Sequence, residues 1–120
     1  MSKIALDTNI LIYLHDAEPK SIKREKANEL IAISPVIPPQ VISEYLNVCN
    51  KRLKFSKQDS LDSLMIWLPY CTLSDVEPGI YTDAMRLIKK YQFQMFDAII
   101  VSSALLSGCS ILYSEDMRIT

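Results

Sequence analysis

Two short apolar segments that each run into acid constrain this chain more than any other feature. Ile4-Ala5-Leu6 leads directly to Asp7, and Ser110-Ile111-Leu112-Tyr113 leads to Ser114-Glu115-Asp116. A brief aliphatic and β-branched run bounded by polar residues reads as a buried strand. The stretches between them have helical spacing, so strands and helices alternate. That alternation implies a parallel sheet with right-handed crossovers. In such sheets ligands bind outside the carboxyl ends of the strands, so both segments deliver carboxylates to the edge where chemistry is done.

The first strand spans roughly residues 3–7, and a short helix follows over 9–15 with Ile10, Leu11 and Leu14 as its apolar stripe. Pro19 suits the first turn of a second helix, about 20–33, with Ile22, Ala27, Leu30, Ile31 and Ile33 as its apolar positions. Its other face carries Lys20, Lys23, Arg24 and Lys26; most such faces are only solvated, and RNA contact is the less common reading. A strand over 35–39 is closed by Pro38-Pro39. The third helix, about 40–53, places Val41, Tyr45 and Val48 on one stripe and holds Glu44 in its first turns. Ser56 with Asp59 resembles a capping box opening a fourth helix to about residue 68, with Leu61, Leu64, Met65 and Leu68 as its core stripe. A short strand at 71–73 and a fifth helix at 80–91 follow. The helix from about Phe96 to Leu106 is apolar or small nearly all round, so it is expected to be buried. Gly108 fits the left-handed position beyond its end, and Asp97 at its front reads equally well as an N-cap.

A length of 120 residues suits a single domain over 1–120. The net charge of −1 gives no overall basic field, so contact with nucleic acid must rest on local patches. The most basic stretch, Lys51-Arg52-Leu53-Lys54-Phe55-Ser56-Lys57, combines cations with one aromatic ring. Cys49, Cys71 and Cys109 form no close pair and have only His15 as a companion, which argues against a zinc site or a disulfide framework. Free thiols in a reducing cytosol follow, and with neither a leader nor a spanning segment the expectation is a soluble cytoplasmic protein.

Asp7, Glu44, Asp97 and Asp116 thus stand at element ends that a parallel sheet gathers on one edge. Each alone is more often a cap or a solvated side chain. Together they repel one another unless a cation is bound or some are protonated. Oxygen ligands without His or Cys suit Mg²⁺ or Mn²⁺, and a carboxylate-held divalent ion can activate water toward a phosphoryl group.

Asp7-Thr8-Asn9, Glu44 within Gln40-Val41-Ile42-Ser43-Glu44, Phe96-Asp97-Ala98-Ile99-Ile100, and Ser114-Glu115-Asp116 resemble the ordered motifs of PIN-domain ribonucleases, most closely the VapC-type toxins of toxin–antitoxin pairs. The resemblance implies a three-layer α/β/α sandwich around a central parallel sheet. It implies metal-dependent cleavage of single-stranded RNA to a 5′-phosphate and a 3′-hydroxyl. Asp7, Glu44, Asp97 and Asp116 would be the Mg²⁺- or Mn²⁺-binding acids, with Thr8 and Ser114 in support. A homodimer and a cognate antitoxin covering the groove would be its protein partners. Two departures stand out: Pro38-Pro39 replaces the usual Ser-Thr before the glutamate helix, and the sequence ends at Arg118-Ile119-Thr120, which leads us to expect four strands. Two alternatives remain at this point. A haloacid-dehalogenase-like phosphatase needs a second aspartate where Asn9 stands; a catalytically idle PIN-like binding module needs none of the acids.

Overall fold

The structure is a computed structural model that describes residues 3–114 and 118–119. Its elements run β1 (Ile4–Leu6), α1 (Thr8–Ile12) with a 3-10 turn Tyr13–His15, α2 (Ile22–Ala32), β2 (Val36–Ile37), α3 (Pro39–Lys51) and α4 (Lys57–Trp67). After a second 3-10 turn, Leu68–Tyr70, come β3 (Thr72–Leu73), α5 (Gly79–Tyr91), α6 (Met95–Leu106), β4 (Ile111–Tyr113) and β5 (Arg118–Ile119).

The strand order is β3-β2-β1-β4-β5. β3, β2, β1 and β4 are all parallel, with Ala5 opposite both Val36 and Leu112, and Leu6 opposite Tyr113. The four-stranded parallel sheet expected from the sequence is therefore present. One addition was not expected: a two-residue β5 pairs antiparallel along the outer edge of β4, with Ile119 opposite Leu112. Successive strands step one way from β1 to β3, and the chain then returns past them to β4. Right-handed crossovers accordingly put α1–α4 on one face and α5–α6 on the other. The point of reversal lies between β1 and β4, and the crevice at their carboxyl ends is where such sheets bind ligands.

The core is built from Ala5, Leu6, Leu11, Ile37, Val41, Tyr45, Cys49 and Ile100, all essentially inaccessible. α6 is buried through its middle, from Ala98 to Ala104, but Met95, Phe96, Leu105 and Leu106 at its ends are exposed, so the burial expected all round holds only for the central turns. Gly108 beyond its end has a φ of 80°, the left-handed value that glycine adopts without steric cost. No helix among the described residues is long and apolar enough to cross a membrane.

Three local readings are corrected. α2 is opened by Ser21, not by Pro19: the Ser21 hydroxyl accepts the Arg24 N–H at 3.0 Å and donates to Asp16 at 2.5 Å, so the cap is the residue with a hydroxyl to offer. Of the apolar positions assigned to α2, only Ala27, Leu30 and Ile31 are buried, whereas Ile22 and Ile33 at the two ends of the helix are exposed. In α4 the buried stripe is Ser60, Ser63, Leu64 and Trp67, while Leu61 and Met65 face out. The helix is rotated so that Ser63 meets the Tyr45 hydroxyl at 2.7 Å, a buried polar partnership that apolar periodicity does not reveal. Ser56 caps α4 as read, accepting the Asp59 N–H at 3.0 Å.

Candidate active site at the sheet edge

Asp7 is the first residue beyond β1. Its N–H donates to the Tyr113 carbonyl at 2.9 Å, which ties the end of β1 to the end of β4 at the reversal point. Its backbone is extended, and its carboxylate Oδ1 accepts the Thr8 N–H at 2.6 Å, so the same group that ends the strand caps α1. Thr8 is buried, and its hydroxyl donates to Glu44 Oε2 at 2.6 Å. One threonine therefore links two acids that lie 37 positions apart in sequence (44 − 7). Glu44 is half-buried on α3, which packs against α1 and also against α6.

Asp97 occupies the third position of α6. The N-cap there is Gln94, so Asp97 is not the cap that its position in the sequence suggested. It is available for another role, and it sits where a helix N-terminus favours negative charge. Burial raises the Asp7 carboxyl above its ordinary value of 3.8, the Thr8 N–H pulls it back, and the negative charges of Glu44 and Asp97 push it further up. Asp7, Glu44 and Asp97 are thus brought into electrostatic contact, with Thr8 between the first two. Ser114 directly follows β4 at the same edge. Asp116, the fourth expected acid, lies outside the described residues.

Among the described residues no three His, Cys, Asp or Glu side chains are grouped as a ready cage for a metal ion. The donor set is nevertheless all oxygen, and its charges oppose one another as they stand. Mg²⁺ is typically held through one or two carboxylates, several waters and substrate phosphates, not by a closed protein cage. The residues present fit that mode of binding.

A family model for the PIN domain matches residues 4–120. The chain belongs to the PIN-domain family. The fold agrees: VapC20 of Mycobacterium tuberculosis, a sarcin–ricin-loop-cleaving toxin, is similar with a TM-score of 0.73 at 18% identity, covering 95% of this chain and 90% of that one. VapBC2 of Rickettsia felis bound to promoter DNA gives 0.72 at 21%, covering 94% and 87%. A toxin–antitoxin complex from Klebsiella pneumoniae gives 0.70 at 20%, covering 95% and 87%. No curated protein sequence matches the chain.

In this PIN domain the basic stretch after α3 does not offer its aromatic ring to a ligand. Phe55 packs edge-on against the His15 ring at 5.3 Å, and its carbonyl accepts from the Asn50 amide at 2.9 Å. Two other rings, Tyr13 and Tyr113, belong to the segments that adjoin Asp7. Tyr13 closes the helix that Asp7 opens, and Tyr113 ends the strand whose carbonyl Asp7 binds. The signal available for Tyr113 was its place immediately before Ser114.

Proposed function

We propose that this PIN domain is a Mg²⁺- or Mn²⁺-dependent endoribonuclease that hydrolyses phosphodiester bonds of single-stranded RNA, and that it is the toxin of a toxin–antitoxin pair. The observation that carries the reading is Asp7, held at the reversal point of the sheet with its ionisation opposed by Glu44 and Asp97. Such crowding of acid is costly for a structural site and useful for one that takes up a cation. Family membership and the toxin–antitoxin assemblies among the similar folds support the partner assignment: an antitoxin covering the groove, and a second copy of the chain as dimer partner.

Asp7, Glu44, Asp97 and Asp116 would hold the divalent ion, which when bound supplies activation of water and stabilisation of charge on the phosphoryl group. Thr8 fixes the acids: it donates its N–H to Asp7 Oδ1 and its hydroxyl to Glu44 Oε2. In the hydrolytic step the water oxygen joins phosphorus and the bond to the 3′ oxygen breaks. A carboxylate of the cluster takes one water proton, and the 3′ oxygen leaves with the electrons of its bond to phosphorus and takes a proton from solvent water, so the products are a 5′-phosphate and a 3′-hydroxyl. Ser114 assists at the end of β4.

The test is cleavage of a randomised single-stranded RNA pool with added Mg²⁺ or Mn²⁺ and with a chelator. Cleavage is expected only with the metal. Asp97→Asn is expected to lower it by at least 10²-fold with unchanged circular dichroism, in keeping with loss of a group that acts on the reacting centre. Full activity in that variant would remove Asp97 from the site.

A further inference from the structure

The acidic crevice poses a problem for its proposed substrate. RNA is a polyanion, the chain carries a net charge of −1, and the reacting phosphate must approach several carboxylates. Something nearby must hold the neighbouring phosphates. Of the cations on α2, Arg24 is already engaged: its guanidinium donates to the carbonyls of Asp16 and Glu18 and so fixes the loop before the helix. Lys23 and Lys26 are exposed and lie three positions apart on one helix face, with Cβ atoms about 5–6 Å apart by helix geometry. Among the described residues neither forms an ion pair; the salt bridge recorded there is Arg86 with Asp83.

Both ammonium groups instead rest over tyrosine rings. Lys23 Nζ lies 4.9 Å from the Tyr13 ring centre, and Lys26 Nζ lies 6.0 Å from that of Tyr113. Both rings belong to segments that adjoin Asp7 along the backbone. Tyr13 is six residues beyond Asp7, roughly 9 Å of helix rise, and the Tyr113 carbonyl is hydrogen-bonded to the Asp7 N–H at 2.9 Å. The ring faces hold the two ammonium groups against the turn after α1 and the end of β4, the strand end to which Asp7 is tied.

We infer that Lys23 and Lys26, seated on Tyr13 and Tyr113, position the RNA strand beside the carboxylate cluster by binding two successive backbone phosphates on one side of the scissile one. The inference rests on the ribonuclease reading above and adds residues to it. A phosphate contact of this kind holds register without reading sequence. The two lysines are substrate-positioning residues, so they act on binding and leave the chemical step alone.

The experiment measures binding of a fluorescent, unstructured single-stranded oligoribonucleotide to the full chain in chelator across a salt series. For single strands the slope of log K against log salt changes by about 0.7 per phosphate contact, so Lys23→Gln with Lys26→Gln should flatten it by about 1.4. Lys23→Arg with Lys26→Arg should restore the slope. Lys89→Gln with Lys90→Gln, exposed lysines at the end of α5, should leave it unchanged. In Mg²⁺ the glutamine pair should raise KM and retain kcat. An unchanged slope with cleavage intact overturns this inference alone, as does an equal loss in the Lys89 and Lys90 control. Failure of the unmodified protein to bind or cleave any RNA in the pool overturns the ribonuclease reading, and this inference with it.

Discussion

Asp7 performs two tasks whose charge requirements conflict. As the cap of α1 it needs only an acceptor oxygen; beside Glu44 and Asp97 its charge is a burden. Its carboxyl is raised in the folded state, so its contribution favours folding below 3.8 and is lost as the pH rises through the folded value. At neutral pH and without metal, ionised Asp7 therefore opposes folding. Asparagine caps helices as well as aspartate does. We expect Asp7→Asn to raise the melting temperature in chelator at pH 7, or leave it unchanged, with the difference shrinking toward acid. A drop of several degrees at neutral pH would give Asp7 a structural role instead. The residue scale also shows what sequence left open at Asp97. An acid at a helix start is commonly a cap, and only the observed start at Met95, with Gln94 as the cap, releases it for the site.

At the scale of elements, the 3-10 turn after α1 is joined to α3 and α4 by a polar triangle. His15 Nε2 lies 2.7 Å from the Tyr45 hydroxyl and 3.1 Å from the Ser63 hydroxyl, and those two hydroxyls are 2.7 Å apart. Tyr45 is fully buried, and burial lifts its phenol to about 12, so it remains a neutral hydroxyl within the network. Burial pulls His15 below its ordinary 6.5, so the fold favours the neutral ring. Its contribution to stability is present above that value and lost as the pH falls through the folded one. The melting temperature is expected to decline from pH 7 toward pH 5, and His15→Gln should flatten that part of the profile; an identical decline in the variant would assign it elsewhere. Periodicity located α4 and its Ser56 cap but not its buried face. Ser60 and Ser63 turn inward because the hydroxyl of Ser63 satisfies Tyr45 and that of Ser60 donates to the Ser56 carbonyl at 2.9 Å. Those are pairings, and pairings leave no repeat in a hydropathy pattern.

For the molecule as a whole, the decisive feature is the strand order. Because β4 returns to the far side of β1, the strand ends that lead into Asp7 and Ser114 become neighbours although they are separated by over a hundred residues. α3 and α6 then reach the same edge from opposite faces of the sheet. If this edge takes up a cation, folding and binding are linked. At a free Mg²⁺ concentration 100 times the dissociation constant, the native state gains about 2.7 kcal/mol. Mg²⁺ is therefore expected to raise the melting temperature of the protein, and to do so far less in Asp97→Asn. Equal shifts in both would place the ion elsewhere. The same whole-molecule view accounts for β5, which covers part of the β4 edge that would otherwise present unpaired backbone groups.

The sequence by itself determined the order of the helices and of the four parallel strands, the caps at Ser56 and Gly108, and the placing of acids at element ends. These follow from contacts within a few residues, where spacing and side-chain chemistry act directly. Only the tertiary structure decided that the charges of Glu44 and Asp97 act on Asp7, that Thr8 binds Asp7 and Glu44, and that Lys23 and Lys26 lie over the Tyr13 and Tyr113 rings. Those relations depend on how the sheet reverses and how α1, α2, α3 and α6 pack on it. Packing is set by the summed fit of distant surfaces, which no local stretch of the chain records.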